Sequence, residues 1–305
     1  MRLAVAASSA VAIPTLEHLQ NSPHQLVRIF TTSDSHSGRG RALKQSEIAE
    51  WASRSGADLV KVGSATEMQN HLRDLDCVIT IAFGILLPED ILGIPTHGFI
   101  NLHFSVLPAW RGAAPVQRAI EHGDELIGAT VFQLDRGMDT GPIYRSLSLT
   151  RDPDLRSKEV LELLSREGVQ LVADSLDDIA AGVIPRPQSD VGASLAPKIL
   201  KSEAVVDWSR SAIEVHNKIC ALFPNPVAFT RVRGKVLKIT KCFRVRKEFS
   251  GNLSVGEIVI ENDCVFVICA EGAIELKSVI PEGKGEMDAS AWARGFRPVP
   301  GELCG

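Results

Sequence analysis

The chain has 305 residues, enough for two domains at about 100–200 residues each, with 45% hydrophobic and 23% charged residues. That is the composition of a globular protein able to bury a core, and it sets aside a disordered or fibrous chain. With 33 Lys and Arg against 37 Asp and Glu the net charge is −4, so any nucleic-acid partner must be held by a local basic patch.

The segment Met1–Ile13 has the basic start and small apolar residues of a weak signal peptide, but Ser8-Ser9 interrupts it, and residues 2–7 read as a first strand. Pro14–Leu19 belongs to the following helix and Leu26–Thr32 is a second strand. Gln45–Ser55 is helical, with Ile48, Ala49, Trp51 and Ala52 along one side. Asp58–Val62 is a short strand, Thr66–Leu72 a helix and Cys77–Ala82 a β-branched central strand. Phe83-Gly84-Ile85-Leu86-Leu87-Pro88 leads to a short helix, and its glycine lets backbone approach a flat ligand closely. Strands at 98–104 and 127–134 follow, with a helix from 114 between them. This alternation predicts a mostly parallel, Rossmann-like α/β sheet. Neither G-x-G-x-x-G nor G-x-x-x-x-G-K-[ST] is present, so the sheet lacks the usual nucleotide fingerprints.

A helix covers roughly residues 157–181. Pro185-Arg-Pro187 and the polar run Gln188–Ser194 then mark the domain boundary. The expected division is a first domain at 1–184, a linker at 185–206 and a second domain at 207–305. In the second domain a helix at 211–222 ends at Phe223-Pro-Asn-Pro226. Short strands at 228–232, 236–241, 257–260, 265–269 and 274–279 predict a small β-barrel. Arg231, Arg233, Lys235, Lys238, Lys241, Arg244, Arg246 and Lys247 follow one another with no acidic residue between them. Such a run is either a solvated face or a phosphate-tracking stripe. The six cysteines (77, 220, 242, 264, 269 and 304) include no C-x-x-C pair, which argues against a zinc site or a disulfide framework and suits a reducing cytoplasm. No run approaches the roughly 18 apolar residues of a membrane span.

The chemistry concentrates in Gly98–Arg118. Asn101 and His103 are two residues apart on a strand and share a face, which Ser105 continues. Leu107-Pro108 ends the strand, Arg111-Gly112 reads as a turn, and Ala113-Ala114-Pro115 opens a helix. Ligands of open α/β sheets bind at this strand edge. A second element, Asp135-Arg-Gly-Met-Asp-Thr-Gly-Pro142, follows the strand at 127–134 and carries two carboxylates, Asp135 and Asp139. A calcium loop would need an oxygen ligand at Gly137 and a Glu at Ser146, and has neither.

On three motifs the chain resembles the formyltetrahydrofolate-dependent formyltransferases. They are Asn101-Leu-His103-Phe-Ser105-Val-Leu-Pro108, Arg111-Gly112-Ala-Ala-Pro115-Val-Gln117 and Asp135-Arg-Gly137-Met-Asp139-Thr-Gly141. The resemblance implies an enzyme that moves a formyl group from 10-formyltetrahydrofolate, without a metal, using Asn101, His103 and Asp139 as a catalytic trio. It implies that Phe83, Gly84, Ile85, Leu86, Ser105, Leu107, Pro108 and Asp135 line the folate pocket and that the second domain is OB-like. Gly38-Arg39-Gly40-Arg41 is similar to a family loop that enters a tRNA acceptor stem. Arg39 and Arg41, with Arg231, Arg233, Lys235 and Lys238, favour methionyl initiator tRNA as the acceptor, with an amino sugar nucleotide as the alternative. A cytoplasmic monomer is expected. The roles expected of the trio are an amide donor to the formyl oxygen (Asn101), an imidazolium that steadies that oxygen and returns a proton (His103), and a carboxylate that orients the ring (Asp139). The chain departs from the family at Phe104, where a small residue or Pro is usual. It also lacks a Gly-Thr-Pro-x-Phe element after the first strand and the prolines before the Gly-Arg-Gly-Arg loop.

Overall fold

β-Branched and apolar runs build the first sheet of this computed structural model, which describes residues 1–37, 42–247 and 249–305. Packing divides the chain into two units. One holds Met1–Pro115, Ile127–Leu149 and Leu161–Ala196; the other holds Val116–Leu126, Thr150–Val160 and Pro197–Gly305. In chain order the first elements are β1 (Arg2–Ala7), α1 (Ile13–Gln20), β2 (Gln25–Thr32) and a small antiparallel pair, β3 (Ser35–Ser37) and β4 (Ala42–Lys44). Then come α2 (Glu47–Ser55), β5 (Leu59–Val62), α3 (Ala65–Gln69), β6 (Cys77–Ile81), α4 (Glu89–Leu92) and β7 (Phe99–His103). After these lie β8 (Arg111–Gly112), α5 (Pro115–His122), β9 (Leu126–Gln133), β10 (Ile143–Thr150), α6 (Ser157–Ala180) and β11 (Leu195–Ala196).

The main sheet has the order β10-β9-β7-β6-β1-β2-β5. It is parallel from β7 through β6, β1 and β2 to β5, and β9 runs antiparallel to β7. The mostly parallel α/β reading therefore holds. Ala4, Ala6, Phe30, Val62, Val78 and Phe99 come from alternate positions of five strands and pack with Met68, Leu72 and Ile91 into one core. Local chemistry sets the helix ends: Ser46 accepts the Ala49 N–H and Ser64 the Glu67 N–H as N-caps, and Gly56 turns the chain off α2 in the left-handed region. The sheet also contains β10, which the pattern did not announce. Its residues are half-buried or exposed, so it lacks the apolar run that marks the central strands.

The second unit is built on α7 (Ala212–Leu222), whose start is a reciprocal Ser211–Glu214 capping box. Around it lie β12 (Phe229–Val232), β13 (Lys235–Val245), β14 (Ile258–Glu261), β15 (Cys264–Ile268), β16 (Ala273–Pro281), β17 (Met287–Asp288) and α8 (Ala289–Phe296). The strands form one antiparallel sheet in the order β12-β13-β16-β15-β14, with β17 on β16. The sheet curls into a half-barrel over Trp208, Val215, Ile219 and Leu222. Residues after α8 run between its outer strands: Glu302 O accepts the Ile258 N–H, Cys304 N donates to Gly256, and Gly305 N donates to Arg231. Sequence pattern missed α8, a short helix of small residues that contributes Trp292 to the core. No helix among the described residues is long and apolar enough to cross a membrane.

His216, on α7, is completely buried, with Nε2 3.1 Å from Asp154 Oδ1 and 3.6 Å from Cys220 Sγ. The grouping resembles a nucleophilic triad, but burial pushes the Cys220 thiol up to about 12, so it carries no thiolate. Burial also lowers the His216 pKa, outweighing the nearby Asp154 carboxylate. The unfolded chain therefore takes up this proton before the folded one does. Stability is full above the ordinary His value of 6.5 and falls as pH drops below it. The urea midpoint, read by tryptophan fluorescence, should decline from about pH 7 to about pH 5, and His216→Gln should flatten part of that decline.

Candidate active site

β7 carries Phe99, Asn101 and His103 on one face. Phe99 is rooted in the core, Asn101 is half-buried, and His103 is buried at the strand's C-terminal end. The chain then folds back. Ser105 Oγ donates to Ala109 O at 2.6 Å, while Thr130 Oγ1 on β9 donates to Ser105 O at 2.7 Å and accepts the Leu107 N–H at 3.1 Å. This turn brings the Trp110 carbonyl to 2.9 Å from His103 Nε2. A carbonyl can only accept, so Nε2 carries the ring's proton. The other nitrogen, Nδ1, lies 3.6 Å from Asp139 Oδ2. That carboxylate oxygen accepts the Gly112 N–H at 2.7 Å. Arg111-Gly112 is thus not a free turn but strand β8, paired in parallel with β11.

The three expected catalytic residues therefore meet at one edge of the sheet. The Asn101 carboxamide has no hydrogen-bond partner among the described residues, which leaves its donors and its acceptor open. Burial lowers the His103 pKa against the pull of Asp139 and of the Trp110 carbonyl. That direction favours a ring with its proton on Nε2 and its lone pair on Nδ1. Backbone geometry marks the same place: Ala82, Trp110 and Asp139 have φ of 47°, 63° and 54°. Left-handed non-glycine residues cost roughly 1–3 kcal/mol each and persist only where surrounding contacts enforce them. Two glycines permit the close approaches. A Cβ on Gly112 would lie 2.6 Å from Ala196 O, and one on Gly141 would lie 1.8 Å from Gln133 O.

The segment after β6 alternates, with Phe83 buried, Ile85 and Leu87 packed against the same core, and Gly84 and Leu86 exposed. Leu107 and Ser105 are buried, and Pro108 is half-buried. Asp135 is exposed and accepts from Gly137 N and Thr140 Oγ1 at 3.0 and 2.8 Å, bracing its own loop. Of the residues expected around folate, Gly84, Leu86 and Asp135 present surface, and the Ser105 hydroxyl is committed to Ala109. Arg39 and Arg41 lie outside the described residues. Arg231, Lys235 and Lys238 are exposed, whereas Arg233 donates to Glu302 at 3.0 Å and covers the Phe296 ring. Among the described residues no group of three or more His, Cys, Asp or Glu could hold a metal. Motif reading missed Thr130 and the Trp110 carbonyl, because a main-chain acceptor leaves no mark in side-chain identity. It also missed Ser194, whose Oγ accepts the Trp110 N–H at 2.9 Å.

A parallel α/β sheet with an Asn, a His and an Asp gathered at the β7 edge, followed by a curled antiparallel domain, defines the class. Residues 1–175 match the formyl transferase family and residues 198–297 match the formyl transferase C-terminal domain, and the chain belongs to this family. It is 40% identical over 320 residues to the methionyl-tRNA formyltransferase of Acidothermus cellulolyticus, covering 99% of each chain. It is 41% identical over 308 residues to that of Salinispora arenicola, again covering 99% of each. Among solved structures, an N-formyltransferase from Helicobacter canadensis, in complex with folinic acid and dTDP-3-aminofucose, superposes with a TM-score of 0.70. Its identity is 17%, covering 90% of this chain and 98% of that one, so the likeness is one of fold.

Gly141→Ala tests the loop that carries Asp139. The added methyl has only main chain to push against, so the expected loss is about 1–3 kcal/mol, read as a lowered thermal midpoint. Formyl transfer should fall further than the folded fraction does, because Asp139 moves with the loop.

Proposed function

We propose that the chain transfers the formyl group of 10-formyltetrahydrofolate to the α-amine of methionyl initiator tRNA, the reaction that prepares the initiator for translation. The observation that carries this reading is the His103–Asp139 pair beside an Asn101 that has no partner among the described residues, in a chain matched end to end by relatives named for that enzyme. An amino sugar nucleotide is the weaker alternative: it is the acceptor type of a fold neighbour at 17% identity, against 40% for the tRNA-named relatives.

In the transfer the amine nitrogen bonds to the formyl carbon, the bond from that carbon to N10 of the folate breaks, and one proton passes from the amine to N10. Negative charge develops on the formyl oxygen as the amine attacks. The open carboxamide N–H groups of Asn101 suit that oxygen, and such a donor is typically worth about 3 kcal/mol. His103 Nε2 is occupied by Trp110 O, so Nδ1 is the nitrogen that moves the proton. A neutral ring takes the proton from the amine and returns it to N10, general acid–base help of roughly 10²–10⁴-fold. Asp139, 3.6 Å from Nδ1, stabilises the imidazolium formed between those two events.

In this reading residues 1–184 form the catalytic domain and 207–305 the tRNA-binding domain. The Phe83–Leu86 stretch, Ser105, Leu107, Pro108 and Asp135 form the folate wall, Ser105 through its backbone turn. Arg39, Arg41, Arg231, Lys235 and Lys238 contact tRNA phosphates, with Arg233 held back by Glu302. The enzyme acts as a monomer in the cytoplasm, a compartment that suits its free thiols.

Asn101→Ala, His103→Ala and Asp139→Ala should each lower kcat by about 10²–10³-fold and leave the tRNA Kd unchanged. A near-normal rate for His103→Ala would sink the mechanism. Because the ring must be neutral to act, kcat/KM should rise with pH through an ionisation below the ordinary His value of 6.5. Asp139→Asn removes the charge that raises this pKa, so the acid limb should move to still lower pH; the amine titrates alike in both enzymes. Offered both acceptors, the protein should formylate methionyl initiator tRNA and not an amino sugar nucleotide. Its tRNA affinity should fall steeply with salt, and Lys235→Ala and Lys238→Ala should each reduce the salt slope by about one.

A further inference from the structure

The run at 185–196 has the sequence of a linker, yet it is built into the first unit as a strap across the site. At one end Arg186 exchanges backbone hydrogen bonds with Ile143 at 2.7 and 2.8 Å, and at the other Ser194 O accepts the Arg111 N–H at 2.8 Å before β11 pairs with β8. Between these anchors lies the half-buried Gln188. Its Nε2 donates to the carbonyls of Asp139 and Gly141 at 2.9 and 2.7 Å. Its Oε1 accepts from Arg111 Nε and a terminal guanidinium nitrogen at 3.1 and 2.7 Å. Both donors and both lone pairs of the carboxamide are in use, and only one orientation of the amide satisfies all four partners.

We infer that Gln188 is a positioning residue for the transfer reaction: it ties the main chain of Asp139 to the strand whose Gly112 N–H holds the Asp139 carboxylate. Asp139 is therefore gripped at both ends, at its carbonyl by Gln188 and at its side chain by Gly112. The grip matters because Asp139 sits at φ 54°, a conformation an unrestrained aspartate readily leaves. Arg111 completes the clamp by fixing Gln188 from the β8 side. The inference rests on the catalytic role proposed for Asp139. It assigns to a polar residue in a proline-rich run the task of setting the carboxylate's distance from His103.

The test is a double-mutant cycle on the full chain, with steady-state formylation of methionyl initiator tRNA as the readout. Gln188→Glu keeps the acceptor that faces Arg111 but has no N–H for the two carbonyls; Gln188→Met keeps the shape and loses both functions. Each should lower kcat by up to about 100-fold, the cost of a misplacement near 1 Å, with KM for both substrates changed by no more than about twofold. In an Asp139→Ala background the same substitutions should cost less than about twofold more, because a residue that acts through Asp139 has nothing left to position. Equal losses in both backgrounds would show that Gln188 only stabilises the fold, and full activity of Gln188→Glu in the wild-type background would overturn the inference outright. An inactive wild-type protein would instead sink the functional reading, and an active Asp139→Ala the role of Asp139.

Discussion

The Nε2–H of His103 donates to the carbonyl of Trp110, and this bond fixes which ring nitrogen can move a proton. With Nε2 committed, the proposed mechanism leaves proton movement to Nδ1, on the side where Asp139 stands. The ring is caught between two opposed effects. Burial favours the neutral form, and the carboxylate and the carbonyl favour the charged one. Burial is the larger effect and lowers the ring's pKa, which suits the proton-accepting role proposed for it. In the proposed reaction the same carboxylate and carbonyl are already placed to hold the charge once a proton arrives.

Such an arrangement costs stability, and the fold spends it locally. Left-handed φ at Ala82, Trp110 and Asp139 lies at the end of β6, at the carbonyl that holds the ring and at the carboxylate that faces it. Each would relax if its neighbours let go. Gly112 and Gly141 allow main chain to approach main chain more closely than any side chain would permit. Thr130, Ser194 and Gln188 then stitch the turns together through hydrogen bonds. The proposed chemistry belongs to a few side chains, and their placement belongs to the backbone.

That division explains what could be read from the sequence. The period of two put Asn101 and His103 on one face, and hydrophobic runs located the central strands, because burial on both faces leaves a strong signal. Asp139 was visible only through its glycine-punctuated loop and the family resemblance; no spacing rule joins it to His103. β10 and α8 went unread, the first because it buries little and the second because its small residues carry little periodicity. The strap at 186–196 was hidden for a different reason. Pro, Gln and Ser are what a solvated connection also uses, and only the partners of Gln188 and Ser194 distinguish the two.

The basic run of the second unit shows why local geometry outranks average charge. Lys238 and Lys241 are three residues apart on β13, so a regular strand would place them on opposite faces and drive one into the core. The register with β16 instead shifts on both sides of Lys241, between Ile239 and Cys242. The extra residue restores Lys241 to the solvent side, while Ile239, Thr240 and Cys242 stay buried. A β-bulge therefore keeps successive cations along one strand exposed. Screening at physiological salt confines their influence to roughly 8 Å. A phosphate at that distance feels the lysines beside it and not the −4 of the whole chain. The bulge, more than composition, gives this acidic protein the positive face that the proposed tRNA contact calls for.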